Sequence, residues 1–287
     1  METLSLLDAL ARRFPTAKRQ TLRRMLADGR VRLNGQRAIK ASQAVEAGDD
    51  IVITPTADGR GGRDGSTHRA AGLLAPATLI HEDDDLLVID KPAGLLTSTV
   101  PREKRPTALA KVRAYVAAAS PGARVGLIHR LDRDASGLLV FSKSHGAYES
   151  LKSQFFHHTV ERIYEATVHG QVTPRKGRIE TNLIERADGT VRVASEREVA
   201  GHKGQRAVTD YEVLRKEPGR SILRVRLQTG RKHQIRVHLS HRGWPIVGDS
   251  VYGKKSAQAG ALRLRATVLA LDHPRSGKRM TFTALTP

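Results

Sequence analysis

His129-Arg130-Leu131-Asp132-Arg133-Asp134-Ala135-Ser136-Gly137-Leu138-Leu139-Val140 joins two apolar runs through a turn crowded with ionisable groups. Val125 to Leu131 reads as a buried strand, and Ser136-Gly137 releases the chain into a second one, Leu138 to Phe141. A turn held between buried strands is a stiff platform on which a reactive group stays aimed. Asp132 and Asp134 suit that role. They suit equally the plainer role of turn residues with Arg130 as their salt-bridge partner, and the residue types alone leave both readings open.

The surrounding sequence gives this turn a sheet to sit in. Upstream, Thr78-Leu79-Ile80 and Leu86-Leu87-Val88-Ile89 flank the acidic turn Asp83-Asp84-Asp85, the pattern of a hairpin. Thr107 to Ala119 reads as a helix with Thr107 as its cap. Downstream come a helix from Gly146 to Phe156 and strands near Val160–Val168, Ala207–Leu214 and Ile222–Leu227. Lys232 to Arg242 can form a further helix, ended by Gly243 and Pro245. Strands dominate and short links join many of them. The expected class is α+β, a mixed and mostly antiparallel sheet flanked by helices, over residues 76–287.

The front of the chain differs. Leu4, Leu6, Leu7, Leu10 and Ala11 recur at helical spacing up to Pro15, and a second helix from Lys18 to Ala27 turns Leu22, Met25 and Leu26 inward. Arg19, Arg23 and Arg24 lie on its outer face, and Gly29 stands where a C-cap glycine belongs. Val31-Arg32-Leu33, the turn Asn34-Gly35, the turn Gly48-Asp49 and Ile51-Val52-Ile53 complete a small helix-helix-strand domain over residues 1–56. Residues 57–75, including Asp58-Gly-Arg-Gly-Gly-Arg-Asp-Gly-Ser66, are glycine-rich without apolar period and read as a flexible linker.

Composition narrows the function. Across 287 residues, 49 Lys and Arg face 29 Asp and Glu, a formal charge of +20, which suits a polyanionic partner, nucleic acid above all. With no cysteine, disulfides, thiolate catalysis and Cys-based zinc sites are excluded. No apolar run approaches the roughly 20 residues of a membrane span, and charged residues break up the N-terminal segment, so neither membrane nor export is expected. The glycine-rich linker lacks the Gly-Lys-Ser/Thr ending of a phosphate loop. Of His233, His238 and His241 only the last two share a helix face closely, with no third ligand at sensible spacing, and His157-His158 reads as a helix end; no metal site is expected. A soluble intracellular protein with a nucleic-acid partner, expected to be a cytoplasmic monomer, is the setting these features suit.

The central run resembles the signature of the RluA-type pseudouridine synthases, in which a His-Arg-Leu-Asp block precedes a hydroxyl residue, Ser and Gly. Ala135 stands where threonine is usual. Other blocks follow in the family's order: Asp90-Lys91-Pro92-Ala93-Gly94, the tyrosine strand Arg162-Ile163-Tyr164-Glu165-Ala166-Thr167-Val168-His169-Gly170, and Thr229-Gly230-Arg231-Lys232-His233-Gln234-Ile235-Arg236-Val237-His238. The last continues through Gly243, Pro245, Gly248-Asp249 and Tyr252-Gly253, and the likeness runs from about Leu79 to Pro274. Arg265 occupies a position where histidine is expected. The Gly-Arg-Val-Arg-Leu-Asn-Gly stretch resembles the small RNA-binding domain shared by a small-subunit ribosomal protein and several RNA-modifying enzymes.

This resemblance implies an isomerase that breaks the bond from ribose to the uracil nitrogen, turns the base and rejoins it through carbon in structured RNA, ribosomal before transfer RNA, with 23S favoured. Nothing is oxidised and no group comes from outside, so no cofactor is implied. It assigns the essential carboxylate to Asp132, as nucleophile or as base on the sugar. A carboxylate in a dry pocket tends towards neutrality, and the resemblance gives the companion cation to Arg236. Tyr164 is implied to stack on the detached uracil and help remove its proton. Arg130 is implied to fill the space that the target base leaves. Lys91 is expected either to touch the RNA backbone or to be a solvated loop lysine, and Arg19, Arg23 and Arg24 are expected to meet phosphates. The competing reading is a non-catalytic RNA-binding or ribosome-assembly factor that keeps the fold.

Phosphate contacts predict RNA affinity that falls steeply with salt; filter binding between 50 and 200 mM salt should lose roughly a thousandfold for six contacts, and a flat response would refute the charge argument.

Overall fold

The computed structural model describes residues 4–13, 19–27, 31–34, 36–37, 40–46, 49, 51–53, 72–99, 105–120, 122–253 and 260–285. The chain forms two compact units, Met1–Asp64 and Gly65–Pro287. Of the expected linker, residues 57–71 lie outside the described residues, as do Pro15, Gly29, Gly35, Gly48 and the side chains of Arg24 and Met25.

The first unit contains β1 (Leu4–Ser5), α1 (Leu6–Arg13), α2 (Arg19–Ala27), β2 (Val31–Leu33), β3 (Gln36–Arg37), β4 (Ala44–Val45) and β5 (Ile51–Ile53). Strand β2 pairs with β3 and β5, and β1 pairs with β4. Leu6 and Leu10 of α1 and Leu22 and Leu26 of α2 pack on Val31, Leu33 and Val45, so these apolar positions face inward as expected. Leu4 departs from the helical reading: it pairs with Val45 in β1, because Ser5 starts the helix by accepting the Asp8 amide at 3.2 Å. Asn34 takes a left-handed conformation (φ 51°) in the turn from β2 to β3. Arg19 and Arg23 are exposed on α2, and Arg19 reaches Asp8 at 2.6 Å.

The second unit runs β6 (Thr78–Glu82), β7 (Leu86–Lys91), α3 (Ala108–Ala119), β8 (Gly126–Leu127), β9 (Ser136–Ser142), α4 (His145–Phe156), β10 (Glu161–His169), β11 (Lys176–Glu185), β12 (Val191–Val193), α5 (Glu196–Ala200), β13 (Gln205–Glu217), β14 (Arg220–Leu227), α6 (Gln234–His241), β15 (Leu264–Asp272) and β16 (Arg279–Thr283). Among the described residues these strands form one eleven-stranded sheet with the path β12-β11-β13-β14-β10-β15-β9-β7-β6, β16 adding to β15 and β8 to β9. The expected hairpin is β6–β7, and Thr107 caps α3 by accepting the Ala110 amide at 3.1 Å.

The continuous apolar run of β7 follows from burial on both faces. Leu87 and Ile89 join the core that includes Val112 and Val116 of α3, while Leu86 and Val88 join a second core with Leu151 of α4 and Phe282. Strand β9 alternates in the same way, Leu139 and Phe141 to one side and Leu138 and Val140 to the other.

Two sequence expectations are corrected. Val125 to Leu131 is strand only at Gly126–Leu127, because the backbone of Leu131 is bound by the Thr97 side chain instead of a ladder neighbour. Periodicity also passes over β11, whose burial alternates weakly, and β15, the central strand between β10 and β9. The β9–β15 pair is parallel, in register Ser136 with Arg265 and Gly137 with Ala266. Gly137 (φ +110°) permits this: a β-carbon there would lie 2.2 Å from the Ala266 carbonyl oxygen.

Gly137→Ala should therefore cost about 2–4 kcal/mol through backbone clash and positive φ. Thermal unfolding should show a midpoint lower by roughly 5–10 °C; an unchanged midpoint would mean the two strands can separate freely.

Candidate active site

The turn carrying Asp132 leaves β8 and enters β9, and it is pinned on either side of the aspartate. Thr97 Oγ1 donates to the Leu131 carbonyl at 2.7 Å and accepts the Leu131 amide at 3.2 Å. The Arg133 carbonyl accepts from Lys91 Nζ at 3.0 Å and from the Gly94 amide at 2.9 Å. Lys91 also donates to the carbonyls of Pro92 (3.0 Å) and Leu95 (2.8 Å), so its three protons are all engaged. Burial pushes its ammonium down to about 8, with Asp132 and Asp134 opposing. Fully buried, Lys91 is no solvated loop lysine, and it braces the turn.

Asp132 meets Arg236 across a separation of 104 residues in sequence, Nη1 donating to Oδ2 at 3.1 Å. Arg236 lies on α6, and its Nε and Nη2 donate to the two oxygens of Asp249 at 2.8 Å each. A planar guanidinium held by that fork has one orientation left, and Nη1 then faces Asp132. Asp249 is wholly enclosed and also accepts the amides of Val251 (3.0 Å) and Tyr252 (2.9 Å). Burial raises its carboxyl, but Arg236 and these amides outweigh that and hold it lowered. For Arg236 burial works against the charge, and Asp249 followed by Asp132 reverses the balance, so its proton is held more tightly than usual.

His233 precedes α6 in a left-handed conformation (φ 53°). Its Nε2 stands 3.9 Å from Asp132 Oδ1, and its Nδ1 lies 2.7 Å from the Tyr252 hydroxyl. The Tyr252 ring lies under the Arg236 guanidinium at 5.1 Å. Tyr164 reaches the same cleft from β10, 7% exposed, its phenol raised chiefly by burial. His129 is stacked on Phe155 at 4.7 Å, and its Nε2 accepts the Val140 amide at 3.2 Å. Burial, helped by the charge of Arg162, pushes it down to about 3, so it is a neutral acceptor within the turn and no proton carrier near neutral pH.

The plainer reading of the turn is not met. Asp134 pairs with Arg133 at 2.9 Å, whereas Arg130 is exposed and forms no ion pair with either aspartate among the described residues. Ala135, 2% exposed, packs in the apolar core. Arg265 donates to Asp90 (2.5 Å), the Leu285 carbonyl (2.7 Å) and Ser136 Oγ (3.4 Å), so it joins the ends of β7 and β9 to the C-terminal segment. His238 is buried with its ring nitrogens 2.9 Å from Thr209 Oγ1 and 3.0 Å from Thr181 Oγ1, an arrangement that leaves no lone pair for a metal. Asp83, Asp85 and His273 cluster elsewhere, on the β6–β7 turn, where Arg275 already pairs with Asp85 at 2.7 Å.

Asp132, Tyr164, Arg236 and Arg130 thus line one cleft of about 930 Å³. Seven Lys and Arg side chains line it against Asp132 and Glu185, and Phe156 stands at its edge 78% exposed. Sequence reading assigned no role to Asp249, His233, Tyr252 or Arg162, although each stands inside a quoted block. An aspartate after glycine in a loop carries no sign that it will be enclosed with an arginine.

Residues 85–241 match the family described as RNA pseudouridylate synthase. The chain is 32% identical over 276 residues to an uncharacterized RNA pseudouridine synthase of Bacillus subtilis, spanning 94% of this chain and 86% of the relative. It is 32% identical over 291 residues to ribosomal large subunit pseudouridine synthase D of Pseudomonas aeruginosa, spanning 96% and 87%. The solved structure of human RNA pseudouridylate synthase domain containing 4 shares the fold with a TM-score of 0.62 at 22% identity, over 78% of this chain and 93% of its own.

Lys91→Met should strand the Pro92 and Leu95 carbonyls, while Arg133 keeps the Gly94 amide, and cost about 1–4 kcal/mol, since each unsatisfied group costs about 1–3 and relief of a buried charge returns part. Turnover should fall while the salt slope of RNA binding stays at the wild-type value; a shallower slope would return Lys91 to the RNA interface.

Proposed function

The chain belongs to the RNA pseudouridylate synthase family, and from that premise we propose that it isomerises uridine in large-subunit ribosomal RNA with Asp132 as the catalytic carboxylate. The observation that carries this reading is the contact of Asp132 with an arginine whose direction is fixed by a second, enclosed carboxylate. The choice of RNA rests on relatives named ribosomal large subunit pseudouridine synthase D, in Pseudomonas aeruginosa and Salmonella typhimurium, the latter 33% identical over 300 residues.

The target uridine leaves its stack and enters the cleft, which is easiest in a loop. Arg130 is exposed and uncommitted to the neighbouring aspartates, so its guanidinium plane can occupy the vacated space. Asp132 acts on the ribose, as nucleophile at the anomeric carbon or as base on the sugar. The bond from that carbon to uracil N1 breaks, the base turns, and a bond to C5 forms. The C5 proton then leaves and N1 carries a proton in the product, so the sum is an isomerisation. Arg236 holds Asp132 against rotation while charge moves through it. Tyr164 stacks on the detached base and assists removal of the C5 proton. Arg19, Arg23 and Arg24 on α2 supply phosphate contacts in the first unit.

Unmodified ribosomal and transfer RNA carrying tritium at uridine C5 distinguish this function from a binding factor. Wild type should release tritium from ribosomal RNA, and Asp132→Asn should bind with similar affinity but release at least a thousandfold more slowly. Binding without release by either protein would favour the assembly factor. Release by both would put the chemistry on another residue.

A further inference from the structure

Arg162 stands two residues before Tyr164 on β10 and therefore on the same face of the strand, about 6.8 Å along it. It lines the cleft although only 9% exposed. Its Nε is buried without a hydrogen-bond partner, and its guanidinium forms no ion pair or hydrogen bond among the described residues. Other arginines with little exposure are matched: Arg236 by Asp249 and Asp132, Arg192 by Glu198, Arg265 by Asp90.

The side chain is nonetheless held. Its guanidinium carbon lies 5.6 Å from the Phe155 ring centre, and a β-carbon on Gly230 would come within 2.5 Å of Nη1. An aromatic ring on one side and a bare glycine on another make a slot that a guanidinium fills. The two carboxylates that line the cleft are engaged elsewhere, Asp132 by Arg236 and Glu185 by Lys232, while His129 is neutral and the Tyr164 phenol is raised by burial. A buried cation without a counter-charge is costly, and an anion that arrives from outside through the cleft would offset that cost.

We propose that Arg162 is a phosphodiester anchor, binding the non-bridging oxygens of the phosphate beside the target uridine. The inference rests on RNA being the substrate of this cleft. A uracil carbonyl would accept a hydrogen bond but leave the charge unbalanced, whereas a diester brings a full charge and two oxygens that match the guanidinium fork. The spacing from Tyr164 assigns that phosphate to the flipped nucleotide or its immediate neighbour, so Arg162 sets how far the strand enters before the base meets the tyrosine.

The test uses full-length protein, a ribosomal RNA transcript and filter binding across salt, in the Asp132→Asn background so that no turnover intervenes. Arg162→Met should weaken binding ten- to thirtyfold at low salt and make the salt slope shallower by about 0.7. Arg162→Lys should keep the slope and most of the affinity. The methionine variant should also melt no lower than wild type, because it removes an unmatched charge and keeps the packing; a purely structural arginine would give the reverse. Unchanged affinity and slope in Arg162→Met overturns the proposal, as does a turnover loss in the Asp132 protein with binding unaffected, which would direct the guanidinium at the base. Tritium release reports the catalytic reading separately: altered binding by Arg162→Met with no release by any protein would leave the anchor standing and remove the enzyme.

Discussion

Arg236 has three donor nitrogens, and Asp249 engages two of them. That commitment turns a long, flexible cation into a fixed post. The charge facing Asp132 is then set by a carboxylate on the far side of the arginine, one that no solvent reaches. Enclosing an ion pair is stabilising only if the geometry is complete, and here two backbone amides finish the coordination of Asp249. Helix α6, the loop that follows it and the turn before β9 are all positioned by this chain of contacts.

The aspartate is held from its own side by different means. Thr97 and Lys91 grip the peptide groups of Leu131 and Arg133, so the backbone to either side of Asp132 is fixed without touching its carboxylate. Such a division leaves the carboxylate oxygens available while removing the freedom of the chain that carries them. Beneath the turn, β7 and β9 are covered on both faces, which gives the platform its stiffness.

Much of this was legible in the sequence, and the rest failed for identifiable reasons. Leu86 to Ile89 and Leu138 to Phe141 announced buried strands because both faces are covered, and Thr107 announced its helix because a hydroxyl before an apolar period is a local signal. Asp132, Tyr164 and Arg236 were singled out through ordered blocks, and they line one cleft. The burial of Lys91 was not legible because a lysine at a strand end is ordinarily solvated; it depends on carbonyls supplied by Pro92, Leu95 and Arg133, the last from 42 residues away in sequence. Leu4 fitted a helical period by coincidence of spacing, and Ser5 decided otherwise. Asp249 and Arg162 were invisible as partners and non-partners, since pairing is a property of the fold and not of either residue.

The parallel seam between β9 and β15 has a bearing on how the molecule comes to exist. Ser136 and Arg265 are 129 residues apart, with β10, β11, β13 and β14 made in between. As the chain is synthesised, β9 can find β7 at once, but its other edge stays open until β15 emerges. During that interval the turn before β9 lacks its neighbour, and neither α6 nor Asp249 exists until late. The turn that carries Asp132 is therefore made well before Arg236 and Asp249, and the contacts that orient its carboxylate wait for segments a hundred residues downstream.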